Sequence, residues 1–337
     1  LPPPGRTPYL ARTWAPHRID VSAASLWAAS FDLWRSCRPR SGKLPAMASF
    51  PVPQRLRAAG QPPGRQAFRA WLDELPRVIA RASSEWDLEV GAPYEPGGQC
   101  AWVAPARDRD GIPYALKVGW RHAEAHGEAA ALRLSGGNGT VNVIRCEESP
   151  TSTLLLLERC DPGISLSATL PEPARDVVIA DLLRRFWQIP TTDGQFPSLD
   201  ALCGRWEAQL AMNEYPTLID PGHIRAARGL LRSLPSDAAD QVLLFTDLHG
   251  DNVLGAQRSP WLAIDPKPHI GDPAFDLVMH IGTSYSRMTS DPAALAARMA
   301  ALTDVDASRV QLWLFARAVA ERPGKPWLQK AITQLAP

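Results

Sequence analysis

A chain of 337 residues, 45% hydrophobic and 21% charged, is long enough for two separate cores and has the composition of an ordinary globular enzyme. Its formal net charge of +1 supplies no global field to recruit nucleic acid or an anionic membrane surface, and no apolar run approaches the ~20 residues of a membrane span. Cys37, Cys100, Cys146, Cys160 and Cys203 form no C-x-x-C pair and leave an odd one over, which argues against a disulfide scaffold or zinc ribbon and fits a cytoplasmic protein.

Residues 1–46 mix Pro, Arg, Ser, Ala and Trp without sustained periodicity, apart from one short amphipathic stretch at 22–34. Arg6, Arg12, Arg18, Arg35, Arg38, Arg40 and Lys43 stand against Asp20 and Asp32, a local charge of +5. A mitochondrial presequence shares this Arg- and Ser-rich, acid-poor composition. Met47, however, is followed at once by ordinary protein-like sequence. The expectation is that Met47 is the natural start and that 1–46 is a non-functional upstream extension. A nucleic-acid-binding role lacks a basic aromatic face, and only this N-terminal segment is basic.

In residues 66–82, Phe68, Trp71, Leu72, Leu75, Val78 and Ile79 recur at helical spacing, with Pro76 expected to bend the helix or start a second one. Two β-rich runs, 99–106 and 114–120, flank a polar turn. An Ala- and Leu-rich helix is expected at 122–134, then strands at 141–147 and 152–158. From Pro171 onward helices dominate, at 172–189, 198–212 and 223–234 and again from Pro273. Short strands VLLF (242–245) and WLAI (261–264) interrupt them as an embedded hairpin. A small β-rich lobe over 47–160 followed by a larger helical lobe over 161–337 is the plan of an α+β, protein-kinase-like fold.

The segment VLLFTDLHGDNVL (242–254) places Asp247 and Asn252 in D-x-x-x-x-N spacing on a loop after an apolar strand. Phosphoryl transfer needs a carboxylate to orient an acceptor hydroxyl and take its proton, and oxygen ligands for Mg²⁺ beside the triphosphate. His249-Gly250-Asp251 offers a competing register, but five residues beyond Asp251 stands Ala256, which binds no metal. Asp, Gly and Asn are also common in plain polar turns. The next strand ends at Asp265, where a second metal ligand is expected. Asp272 is a helix cap before Pro273, and Asp276 is expected to hold the loop by hydrogen bonds. His249 and His269 read as loop-positioning residues. In YALKVGW (114–120), Lys117 faces opposite to Leu116 and Val118 and, turned inward, needs an anion and a carboxylate. Glu124 and Glu128, one turn apart, both qualify. Gly97 and Gly98 form a turn that can approach phosphates closely without the full G-x-G-x-x-G pattern.

These residues resemble the aminoglycoside/hydroxyurea antibiotic-resistance kinases, which include streptomycin 6-kinases. The resemblance runs through 86–98, YALKVGW, EAAALRL (128–134), LLLLERCDPGISL (154–166), TDLHGDNVL (246–254), IDPKPHIGDPAFD (264–276) and 291–300, spanning about 50 to 320. It implies ATP as donor and an antibiotic hydroxyl as acceptor. It further implies Asp247 as catalytic base, Asn252 and Asp265 as Mg²⁺ ligands, Lys117 as the phosphate-binding lysine and Glu128 as its partner. Glu158 to Cys160 become the hinge whose backbone meets adenine. Two features depart from the family pattern: Phe245-Thr246 stands where His-Gly is more general, and no residue set reads as a streptomycin pocket. The alternatives are a metabolic kinase for a sugar or amino alcohol, and a non-catalytic nucleotide-binding pseudokinase.

Overall fold

Two amphipathic helices precede the first sheet in a computed structural model that describes residues 50–122, 127–212, 219–322 and 325–337. The expectations for residues 1–46 lie outside the described residues. After α1 (Gln54–Ala59), helix α2 (Gln66–Glu85) buries Phe68, Trp71, Leu75 and Ile79 along one face. Pro76 removes one backbone donor yet neither ends nor divides the helix, so no second helix starts there.

Five antiparallel strands follow: β1 (Glu89–Val90), β2 (Ala101–Arg107), β3 (Pro113–Trp120), β4 (Val143–Glu148) and β5 (Ser152–Glu158), in the order β1-β2-β3-β5-β4. Period-two alternation sends Trp102, Ala104, Leu116, Val118, Leu154 and Leu156 to the face that α2 covers. Trp71 Nε1 donates to Ser152 Oγ at 3.0 Å, tying that helix to the sheet. The other face packs Leu155 and Leu157 against Ala129 and Leu132 of α3 (Glu128–Ser135). Helix α3 starts at Glu128, later than its Ala-rich sequence suggests. Gly127 sits at φ 89°, a left-handed conformation that interrupts any helix passing through it. Glu124 lies outside the described residues.

The helical part contains α4 (Leu166–Thr169), α5 (Glu172–Trp187), α6 (Leu199–Met212) and α7 (Pro221–Ser233), and later α8 (Pro273–Thr283), α9 (Tyr285–Ser290), α10 (Pro292–Thr303), α11 (Ala307–Glu321) and α12 (Leu328–Leu335). Phe186, Phe245, Phe275, Trp313 and Phe315 are fully buried in one core among them. Asp176, also fully buried, accepts from His280 Nε2 at 2.9 Å, Arg287 Nη2 at 2.8 Å and Arg298 Nε at 2.7 Å, and so stitches α5 to α8, α9 and α10.

Between α7 and α8 run four three-residue strands, β6 (Val242–Leu244), β7 (Val253–Gly255), β8 (Trp261–Ala263) and β9 (His269–Gly271). The expected hairpin is rearranged. Strand β6 pairs with β9, and β8 pairs with β7, both antiparallel. Strands this short carry no periodicity of their own, and β9 stands among prolines and glycines that read as loop. The consequence is functional. The connections 245–252 and 264–268 face each other across backbone bonds, Lys267 N to Phe245 O at 3.0 Å and Ile264 N to Asn252 O at 2.9 Å. Leu262 of β8 packs into the α3 side of the five-stranded sheet, and Val141 N donates to Ala263 O at 3.1 Å. This docking carries residue 265 to the face where Lys117 emerges.

No helix among the described residues is long and apolar enough to cross a membrane.

Candidate active site

Because Leu116 and Val118 face the α2 core, Lys117 points to the α3 face, where its ammonium is buried. Its Nζ donates to Glu128 Oε1 at 2.7 Å and Oε2 at 2.8 Å, and to Asp265 Oδ1 at 2.6 Å. A lysine at this depth is tolerable only with paired acids. Burial alone would lower its pKa, but Asp265 and Glu128 outweigh burial and hold the ammonium protonated above its ordinary range. For Asp265 burial pushes upward, while Lys117 and Lys267 outweigh it, so the carboxyl titrates below its usual value.

Asp247 and Asn252 belong to one closed turn. Asn252 Nδ2 donates to the Asp247 carbonyl at 2.9 Å across a single 3-10 turn, Gly250–Asn252. That bond commits the amide nitrogen and leaves Oδ1 without a donor among the described residues, the state a ligand to a hard cation requires. The bond from Ile264 N to Asn252 O sets Asn252 beside the chain leading to Asp265. Asp251 stands apart: it is 72% exposed and accepts from Ser167 Oγ. His249 Nδ1 accepts from Asp251 N at 3.2 Å, and His269 Nδ1 bonds to Lys267 O at 2.9 Å, so both rings brace backbone. Lys267, which the sequence reading passed over, bonds through Nζ to Asp247 Oδ2. Its position between Pro266 and Pro268 was the available signal.

The loop is held from below by Asp276, which is fully buried. Its Oδ2 accepts from Phe245 N at 2.7 Å and Trp187 Nε1 at 2.9 Å, and its Oδ1 from Thr246 N at 2.5 Å. Thr246 has φ 57°, a costly conformation for a β-branched residue. These bonds and the one from Thr246 Oγ1 to Lys267 O at 2.5 Å offset that cost. A threonine thus bridges the two facing loops. Asp272 caps α8 by accepting from Ala274 N at 2.9 Å, and also receives Arg309 Nε and Trp313 Nε1, each at 2.5 Å.

Desolvation raises the Asp276 carboxyl to about 6 against the pull of its three donors. A folded-state pKa above the unfolded value of 3.8 means that its stabilising contribution is full below about pH 4 and is lost as pH rises through about 6. Asp276→Asn offers one acceptor oxygen to three donors and costs about 1–3 kcal/mol for each donor left unpaired. The stability gap between wild type and this variant, read from urea midpoints, narrows by roughly 3 kcal/mol from pH 4 to pH 7. A gap independent of pH contradicts this assignment.

The remaining sequence-predicted residues lie along the sheet. Gly97 and Gly98 precede β2, off the Trp120 end of β3, while Glu158 pairs with Tyr114 at the opposite end, with Lys117 between them. Gly97, at φ 75°, packs so closely that a Cβ would stand 2.5 Å from Pro53 Cβ. Neither glycine is hydrogen-bonded to Lys117 or Asp265. The Glu158 carboxylate is occupied by Arg258 Nε and Nη2, both at 2.9 Å, and by Asn142 N and Nδ2, both at 3.0 Å. The Glu158 carboxylate is therefore committed within the protein, and any ligand contact by this residue falls to its main chain. Burial pushes the Cys160 thiol up to about 12, so it is no nucleophile.

Among the described residues no cluster of three or more His, Cys, Asp and Glu side chains could hold a metal. Mg²⁺ does not need one, since it is commonly held by one or two protein oxygens together with substrate phosphates. The Asp265 carboxylate and Asn252 Oδ1 fit that requirement, and Lys117 beside them fits a phosphate. The arrangement can bind a magnesium nucleotide and present its terminal phosphate toward Asp247.

The profile of the aminoglycoside/hydroxyurea antibiotic resistance kinase family matches residues 90–322. The chain is 31% identical over 274 residues to streptomycin 6-kinase of Streptomyces griseus, covering 79% of this chain and 88% of that protein. It is 37% identical over 224 residues to hydroxyurea phosphotransferase of Kitasatospora aureofaciens, covering 64% of this chain and 63% of that protein. A solved structure of a thermostable mutant of aminoglycoside phosphotransferase APH(4)-Ia, a ternary complex with AMP-PNP and hygromycin B, aligns with a TM-score of 0.52 at 16% identity, covering 77% of this chain and 96% of that one. That likeness is one of fold: α+β and protein-kinase-like.

Proposed function

Because the chain belongs to the aminoglycoside/hydroxyurea antibiotic resistance kinases, we propose that it transfers the γ-phosphoryl group of ATP to a hydroxyl of an aminoglycoside-type or hydroxyurea-type compound. The observation that carries this reading is the convergence of Lys117, Glu128 and Asp265 with the Asp247–Asn252 turn. Residues 47–160 serve as the nucleotide lobe and 161–337 as the lobe for catalysis and acceptor. Lys117, fixed by Glu128, holds nucleotide phosphates. Gly97 and Gly98 lie over the phosphate end, and the backbone at Glu158 to Cys160 meets the adenine. Asp265 and Asn252 hold Mg²⁺, which when bound neutralises charge on the triphosphate. Asp247 orients the acceptor hydroxyl and takes its proton as the acceptor oxygen bonds to the γ-phosphorus. The bond from phosphorus to the β,γ-bridging oxygen breaks, and ADP departs with that electron pair. A cytoplasmic location fits ATP as donor.

Labelled ATP incubated with streptomycin, hydroxyurea, other aminoglycosides, sugars and amino alcohols tests the reading directly. The expected result is Mg²⁺-dependent label in one acceptor of the first three groups. Label confined to a sugar or amino alcohol supports a metabolic kinase, and nucleotide binding with no transfer supports a pseudokinase.

A further inference from the structure

We propose that Lys267 is a catalytic residue that binds the transferred phosphoryl group. This assignment rests on the phosphotransferase reading and goes beyond it, because Lys117 was the one side chain expected to meet phosphate.

The argument begins with how firmly the residue is held. Prolines at 266 and 268 restrict the backbone on both sides. Between them, Lys267 N donates to Phe245 O at 3.0 Å, and Lys267 O accepts from Thr246 Oγ1 at 2.5 Å. Pro268 in turn lies against Gly127, where a Cβ would stand 2.9 Å from Pro268 Cγ. The loop is therefore wedged between the catalytic turn and the start of α3, the helix that supplies Glu128. The fixed backbone sets where the side chain starts and how far its ammonium can reach. The ammonium goes to Asp247 Oδ2, and the Asp247 side chain is only 13% exposed.

Charge and reach then assign the role. Lys117 is paired with two carboxylates, Glu128 and Asp265, and not with Asp247. Lys267 is the one lysine or arginine in an ion pair with Asp247 among the described residues. An acceptor hydroxyl held by Asp247 lies within about 2.6–3.2 Å of that carboxylate, and in-line attack places it about 3–3.5 Å from the γ-phosphorus. An ammonium bonded to the same carboxylate can then swing into hydrogen-bond reach of the γ-phosphate oxygens on its flexible stem. Without it, a dianionic phosphate group would approach an uncompensated carboxylate. Lys267 offsets that repulsion and stabilises the charge on the equatorial oxygens as the phosphoryl group moves from ADP to the acceptor.

The test compares the affinity of AMP-PNP with that of ADP, in saturating Mg²⁺, for wild type, Lys267→Ala and Lys267→Arg, by calorimetry. This readout does not require the acceptor to be known. In Lys267→Ala the preference for AMP-PNP over ADP falls about tenfold or more, as expected for loss of a charge-assisted bond to the terminal phosphate. ADP affinity changes less than about threefold, and Lys267→Arg restores most of the preference. With the acceptor in hand, kcat for Lys267→Ala falls about 10²–10³-fold at little change in the acceptor KM. An unchanged AMP-PNP preference, or a parallel fall for both nucleotides, overturns the assignment. Failure of the wild-type protein to bind either nucleotide overturns the phosphotransferase reading, and this assignment with it.

Discussion

Asp247→Asn is expected to lower kcat by about 10³-fold or more, the range of a general base combined with loss of acceptor alignment, while the affinity for Mg-AMP-PNP stays within about threefold. The asymmetry follows from where Asp247 sits. Its main-chain oxygen receives Asn252 Nδ2, a contact that Asn at 247 preserves, so the metal-binding amide keeps its orientation. The side chain of residue 247 reaches Lys267 but neither Lys117 nor Asp265 by hydrogen bond, so nucleotide binding does not depend on its charge. Asn is the better test than Ala, because it keeps an oxygen for the Lys267 ammonium and avoids confusing lost chemistry with an unpaired cation. Steady-state kinetics and calorimetry on the same preparation read the two effects separately. Turnover at the wild-type rate refutes the role of Asp247 as base.

Asp265→Asn is expected to do the opposite, weakening Mg-nucleotide binding by at least the roughly 10–100-fold that removal of an outer-shell partner costs a metal site. Asp265 has φ 62°, a left-handed conformation that Asn adopts almost as readily as Asp, so the backbone between β8 and β9 survives the change. Lys117 retains both oxygens of Glu128 and does not become an unpaired buried cation. The loss therefore reports on the carboxylate's charge toward Mg²⁺ rather than on unfolding. An Asp265→Asn protein that binds Mg-AMP-PNP as wild type does would remove the residue from the metal site.

The parts of this site that the sequence disclosed are those set by local spacing. Leu116-Lys117-Val118 sets the lysine opposite its apolar neighbours by strand alternation, without deciding whether it is buried or solvated, and Asp247 to Asn252 fit on one turn. Asp272 before Pro273 is a helix cap in the sequence and in the structure. What stayed hidden depends on pairings made at long range. The choice between Glu124 and Glu128 could not be made from helical spacing. The structure pairs Glu128 with Lys117 and starts α3 directly after Gly127 at φ 89°. The pairing of β6 with β9 was hidden because three residues show no period, and it is this pairing that brings Lys267 across from Phe245. Lys267 and Asp247 stand twenty residues apart, and nothing in the local sequence of either names the other. The Asp176 network joins four helices and has the same character.

The proposed site divides its labour: Lys117, Glu128, Asn252 and Asp265 are assigned to the magnesium nucleotide, and Asp247 to the acceptor. One calorimetric series tests that division most directly, with AMP-PNP titrated in saturating Mg²⁺ into wild type, Asp247→Asn and Asp265→Asn. The account predicts binding by wild type, nearly equal binding by Asp247→Asn and markedly weaker binding by Asp265→Asn. No binding by wild type, or equal affinity in all three proteins, would contradict it.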